Sequence, residues 1–97
     1  MDDTVATAAM TRSKEIEKSF SHTRPDGRNF GTAITDLGIT YRGAGENIAW
    51  GQKTPEAVMN AWMNSEGHRA NILNPNFKKL GVGYRTDSRR TPYWTQL

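Results

Sequence analysis

Two histidines, His22 and His68, are the side chains best placed to do chemistry near neutral pH, because imidazole is the group whose unperturbed titration falls there. His22 stands in Ser21-His22-Thr23-Arg24-Pro25, and His68 in Ser65-Glu66-Gly67-His68-Arg69. Both lie at element ends next to turn formers or glycine, where a ring can face a cleft. Two neutral imidazoles and water would hold a divalent cation, with zinc the best fit, if a carboxylate served as third ligand or general base. Glu46 is the candidate for that carboxylate. It follows Gly45 at the start of the short apolar segment Glu46-Asn47-Ile48-Ala49-Trp50-Gly51, at the rim of a core, where an acid is either paired or functional. Ordinary alternatives stand beside each reading: hydrogen-bonded structural roles for both histidines, and for Glu46 a role accepting backbone N–H groups of the Gly43–Gly45 loop. Glu66 is the weaker candidate, fitting better an exposed acid favoured by a helix N-terminus. The histidines are far apart in the chain and His-Glu-x-x-His is absent, so no local metal motif is present.

Other chemistries lose their support quickly. The chain has no cysteine, which removes disulfides, thiolate metal sites and cysteine nucleophiles. It has no Gly-x-Ser-x-Gly elbow, no Walker loop and no Gly-x-Gly-x-x-Gly turn. A net charge of +3 is too weak to argue for nucleic acid, although Arg69, Lys78, Lys79, Arg85, Arg89 and Arg90 face only Asp87 in the last third of the chain. That end should present a mildly positive surface. The longest apolar runs, such as Ile48-Ala49-Trp50, fall far short of the roughly 20 residues of a spanning helix. The start, Met1-Asp2-Asp3-Thr4, lacks the basic and apolar regions of a secretory signal.

At 97 residues, with 35% hydrophobic and 24% charged side chains, the chain suits one domain with one modest core. The elements that must position the candidate residues can be read from spacing. Val5, Ala9, Ile16 and Phe20 give one apolar face to a first helix capped by Asp2 or Asp3, with Arg12, Lys14, Glu15, Glu17 and Lys18 on a solvated side. A loop through Pro25-Asp26-Gly27 carries His22. A short helix is expected over Thr32–Leu37, then an extended Ile39-Thr40-Tyr41, and a strand over Glu46–Gly51. Thr54-Pro55-Glu56 opens a third helix with Val58, Ala61, Trp62 and Ser65 inward, and Gly67–Leu73 forms further helical turns. Leu80, Val82 and Tyr84 alternate with Gly81 and Gly83, giving a strand with one almost bare face against which something packs closely. Tyr93–Leu97 is its antiparallel partner. Trp50, Trp62 and Trp94 read as core anchors, and Asn47, Asn71, Asn74 and Asn76 as loop braces. This order of helices and antiparallel strands predicts an α+β layered domain.

Taken in order, His22-Thr23-Arg24-Pro25-Asp26-Gly27, Gly45-Glu46-Asn47-Ile48-Ala49-Trp50-Gly51, Ala61 through Leu73, Gly81-Val82-Gly83-Tyr84 and Tyr93-Trp94-Thr95-Gln96-Leu97 resemble the CAP superfamily in its bacterial SCP-like extracellular branch. The resemblance covers nearly the whole chain. It implies a three-layer α-β-α sandwich with a central antiparallel sheet, a secreted or envelope location, and a cleft lined by two His and two Glu. By position His22 and His68 match the histidines, as metal ligands, and Glu46 matches the acid of Gly-Glu-Asn. The second acid falls at Ser65, with Glu66 beside it as a candidate substitute lining the cleft. The resemblance also implies a preceding helix and a longer last strand, so residues 1–97 read as one CAP-like domain truncated at both ends, in which uncovered apolar surface favours self-association.

Two functions follow from these residues. The leading one is a secreted or envelope-associated binding module whose His22, His68 and Glu46 cleft takes a divalent cation or small ligand, with lipid or envelope partners implied by the family. The other is a weak metal-dependent hydrolase, protease-like, with zinc on His22 and His68 and Glu46 activating water. The absent nucleophile and the serine at position 65 weigh against the enzyme.

Overall fold

A computed structural model describes residues 2–97. Seven elements follow in the order α1 (Asp3–Lys18), α2 (Thr32–Thr35), β1 (Asn47–Trp50), α3 (Pro55–Met63), α4 (Glu66–Leu73), β2 (Val82–Thr86) and β3 (Pro92–Gln96). The strands form one antiparallel sheet in the order β1-β3-β2. The C-terminal hairpin is therefore present, and β1 adds to its free side in the register Asn47 opposite Gln96 and Trp50 opposite Tyr93.

Pleat alternation explains the layering. Thr95 and Gly83 are paired and point to one face, while Trp94, paired with Ala49 and Tyr84, points to the other. On the first face lies α1: a Cβ added at Gly81 or Gly83 would fall under 3.0 Å from backbone atoms of Val5 or Ala9, and Ser13 Oγ donates to Thr95 Oγ1 at 2.9 Å. The bare face expected of β2 is thus the seat of a helix backbone. On the second face Ala49 and Trp94 pack with Val58 and Trp62 of α3 and with Ile72 of α4. Helices on both faces of an antiparallel sheet make the expected α+β, three-layer α-β-α arrangement. A second cluster, Ala8, Ala33 and Ile34, joins α1 to α2 and is edged by Ile39, Ala44 and Leu97.

Local signals account for most of the boundaries. Asp2 Oδ1 accepts the Val5 N–H at 2.9 Å and caps α1. Thr54 Oγ1 accepts from Ala57 N at 3.1 Å, and Pro55 occupies the first helical position of α3. Thr54→Ala should therefore lower stability by about 1 kcal/mol, measured as a shift of the urea midpoint with an unchanged slope.

Several expectations need correcting. Helix α1 ends at Lys18, so Phe20 lies beyond it and is exposed. Arg12 is fully buried, not part of a solvated face, because it occupies the helical row that runs through Ala8, Ala9 and Ile16. Residues Ile39–Tyr41 form no strand. Trp50 is 57% exposed at the end of an edge strand; the indole N–H groups of Trp62 and Trp94 donate instead to the Ile48 and Gln52 carbonyls inside. Ser65 lies beyond α3 and stands at the N-cap position of α4.

Candidate functional site

Glu46 immediately precedes β1 and is almost entirely buried, with neither carboxylate oxygen open to solvent. Arg12 reaches it from α1: Nε donates to Oε2 at 2.6 Å and Nη2 to Oε1 at 3.1 Å, a two-point contact between two buried side chains. His22 Nδ1 meets Oε1 at 2.8 Å from the loop after α1. The guanidinium thus engages both carboxylate oxygens, and the ring of His22 meets one of them through Nδ1, so that Nε2 takes no part in this contact. The His22 side chain is 58% exposed. Glu46 and His22, distant in the chain, thus meet side by side, and the alternative expected for Glu46, acceptance from Gly43–Gly45 amides, is replaced by these guanidinium and imidazole donors.

The cluster continues away from Glu46 as alternating charges. Arg12 Nη1 donates to Glu15 at 2.8 Å, and Nη2 to the Ser21 carbonyl at 2.5 Å, which pins the loop carrying His22. Arg24 donates Nε and Nη2 to Glu15 and Nη1 to Thr32 and Asp36. Burial acts to lower the Arg12 pKa, but its hydrogen bonds to Glu46 and Glu15 prevail and raise it. For Glu15 burial acts upward, and the hydrogen bonds from Arg24 and Arg12 prevail, holding the carboxyl below its usual range. A carboxyl held low in the folded state contributes stability that is complete above its unfolded pKa and is lost as pH falls through the lowered value. Acid titration of stability should thus steepen below the ordinary carboxylate range, and Glu15→Gln should flatten that part of the profile in urea midpoints taken from about pH 6 down to about pH 2.

On the other side of Glu46, amides tie the site to α4. Asn71 Nδ2 donates to the Glu46 carbonyl at 3.2 Å and to Asn47 Oδ1 at 3.0 Å, while Asn47 Nδ2 donates to the His68 carbonyl and to Gln96 Oε1, each at 3.0 Å. His68 therefore enters this network through its backbone; among the described residues its ring makes no hydrogen bond. Glu66 is exposed in the first turn of α4, and no hydrogen bond or ion pair joins Ser65 or Glu66 to Glu46 among the described residues.

These residues do not fit a resident zinc centre. Among the described residues no group of three or more His, Cys, Asp or Glu side chains is arranged to hold a metal ion. The acid best placed to serve, Glu46, has both oxygens engaged by Arg12. Sequence reasoning missed Arg12, Glu15 and Arg24; the position of Arg12 on the apolar row of α1 could have signalled its burial, but not its partner.

Comparison with known proteins agrees with this architecture. The model of the cysteine-rich secretory protein (CAP) family matches residues 1–97. An uncharacterized protein of Bacillus subtilis, YkwD, is 47% identical over 98 residues, covering 99% of this chain and 37% of its own length. An uncharacterized membrane protein of the same organism, YlbC, is 32% identical over 84 residues, covering 84% of this chain and 24% of its own. The chain thus spans well under half the length of these curated relatives. A crystal structure of an extracellular protein containing an SCP domain from Bacillus anthracis superposes with a TM-score of 0.82 at 33% identity, over 99% of this chain and 32% of that one. An outer surface protein of Borrelia burgdorferi superposes at 0.86 over 98% of this chain and 71% of that one, and at 22% identity it speaks for the fold alone. With the family model matched from end to end and the sandwich in place, the chain belongs to the CAP, or cysteine-rich secretory protein, family.

Proposed function

We propose that this chain is a non-catalytic recognition module of the extracellular space or cell envelope, and that it receives a small ligand along the edge where His22 is exposed. The observation that carries the reading is the commitment of Glu46: a carboxylate that accepts from Arg12 through both oxygens is a brace, and it has no free oxygen to activate water. What the brace leaves available is His22, oriented through its Nδ1 contact with Glu46 and with more than half of its side chain exposed. Ser65, Glu66 and His68 in the opening turn of α4 are the second set of candidate ligand contacts. The location follows the relatives, which include an extracellular protein of Bacillus anthracis.

Calorimetric titration of zinc into metal-free protein near neutral pH tests this reading. The expected result is weak, non-saturating heat that is the same in His22→Ala/His68→Ala. One ion per chain bound saturably, and lost in that variant, would overturn this small-ligand reading and make His22 and His68 a cation site. His22→Ala itself should change stability by less than about 1 kcal/mol, since it removes one partly exposed hydrogen bond and leaves the Arg12–Glu46 pair intact.

A further inference from the structure

A groove of about 480 Å³ opens at the end of the sheet where β1 begins and β3 ends, between residues 39–45 and the turn 76–80. Its volume is that of a ligand site. Neither Glu46 nor either histidine lines it. Val5, Ile34, Ile72, Phe77 and Leu97 supply an apolar floor. Its charged side chains are all cationic: Arg42, Lys78 and Lys79 are exposed, and no Asp or Glu side chain takes part. Lys79 has one distant ion pair, at 3.9 Å to Asp2, and Arg42 and Lys78 have none among the described residues.

One wall has an unusual property. From Ile39 to Gly45, no backbone N–H or C=O makes a hydrogen bond to another described residue. Yet the segment is anchored. Tyr41 lies against Gly31, where any Cβ would collide with its hydroxyl, and Gly45 is held under Phe77 and Asn71, where a Cβ would meet Phe77 under 3.0 Å. No residue between 39 and 45 has a positive φ, so no left-handed kink interrupts the wall. The result is a fixed run of unpaired main-chain donors and acceptors beside an apolar trough with a positive rim.

We propose that this groove docks an extended acidic peptide segment of a partner protein, which pairs its main chain with residues 39–45 and sets acidic side chains against Arg42, Lys78 and Lys79. The unpaired backbone favours a peptide over an acyl chain. A hydrocarbon seated here would strip water from those N–H and C=O groups without replacing their hydrogen bonds, whereas a peptide restores them. The apolar floor accepts alternate side chains, and the absence of acids rejects basic sequences by like-charge contact. The proposal extends the recognition reading but shares no residue with the His22 edge, so either can fail alone.

The test selects random displayed heptapeptides on the immobilised protein at physiological salt, with Lys78→Glu/Lys79→Glu as the counter-target. An unchanged thermal midpoint would establish that this variant is folded. Expected is enrichment of acidic sequences with apolar residues at alternate positions. The best of these, made as a fluorescent peptide, should bind the variant roughly tenfold more weakly, and its Asn/Gln counterpart should lose affinity for the wild type by a similar factor. Bound peptide should slow hydrogen exchange at the amides of residues 39–45. Selection without enrichment over the variant, or protection elsewhere, overturns the proposal. So does binding to phosphatidylglycerol vesicles with no peptide binding, which would make the occupant a lipid. A dimer in sedimentation that Lys78→Glu/Lys79→Glu abolishes would also overturn it, and would identify a second copy of this chain as the occupant instead.

Discussion

Arg12→Met is expected to lower the unfolding free energy by about 3–5 kcal/mol, the loss associated with removing one partner of a buried ion pair. The guanidinium is fully buried and engages Glu46, Glu15 and the Ser21 carbonyl at once. Methionine fills much of the same volume and keeps the aliphatic packing, so the loss isolates the charge and the hydrogen bonds. What remains is a Glu46 carboxylate deep in the protein with only His22 to partner it. One consequence separates this from a simple packing defect: the loop carrying His22 should loosen, since Arg12 Nη2 holds it at Ser21, and amide exchange at residues 21–23 should quicken. Urea denaturation of wild type and variant checks the loss of stability, and hydrogen exchange the loosening. A loss under about 1 kcal/mol would mean that the brace contributes little.

Gly83→Ala should be the other large effect, at about 3 kcal/mol, the upper end of what overpacking a well-filled interior produces. The new methyl would meet the backbone of Ala9 and Met10 rather than a side chain that could turn away, so α1 as a whole must move off the sheet. Gly81→Ala presses on the same helix at Val5 and Ala6. Once one substitution has displaced α1 the second meets less resistance, so the double variant should lose less than the two single losses combined. Gly67→Ala is the control: nothing lies within 4 Å of its added Cβ and it sits in α4, so alanine should raise stability by up to about 1 kcal/mol. Equal behaviour of Gly83→Ala and Gly67→Ala in chemical denaturation would contradict the close seating of α1 on β2.

The features legible in the sequence were those encoded locally. Thr54-Pro55 marks the start of α3 because a cap and a fixed φ act within one turn, and the glycines at 81 and 83 announced a close neighbour because nothing else explains two bare positions on one strand face. Glu46 and His22 could be singled out because both stand at element ends beside turns. Arg12 was not legible as a site residue, since a charged side chain on a helix reads as solvated unless its long-range partner is known, and Glu46 is distant in the chain. The same reason hid Arg24, whose partners Glu15 and Asp36 come from α1 and the residue after α2. Trp50 misled because an aromatic alternating with alanine reads as inward, while its burial depends on which neighbours cover the end of an edge strand. The metal reading of His22 and His68 rested on residue type and on the family resemblance, and the fold gives Glu46 to Arg12 and engages His68 through its carbonyl.

Glu46 braces the fold through Arg12 and is not held in reserve for chemistry. A double-mutant cycle on Arg12→Met and Glu46→Leu, followed by urea denaturation with and without zinc, tests it most directly. Each single variant should be strongly destabilised, the double variant should recover at least about 2 kcal/mol relative to additivity, and zinc should change none of these values. Additive losses, or a wild type that zinc stabilises through His22, would contradict it.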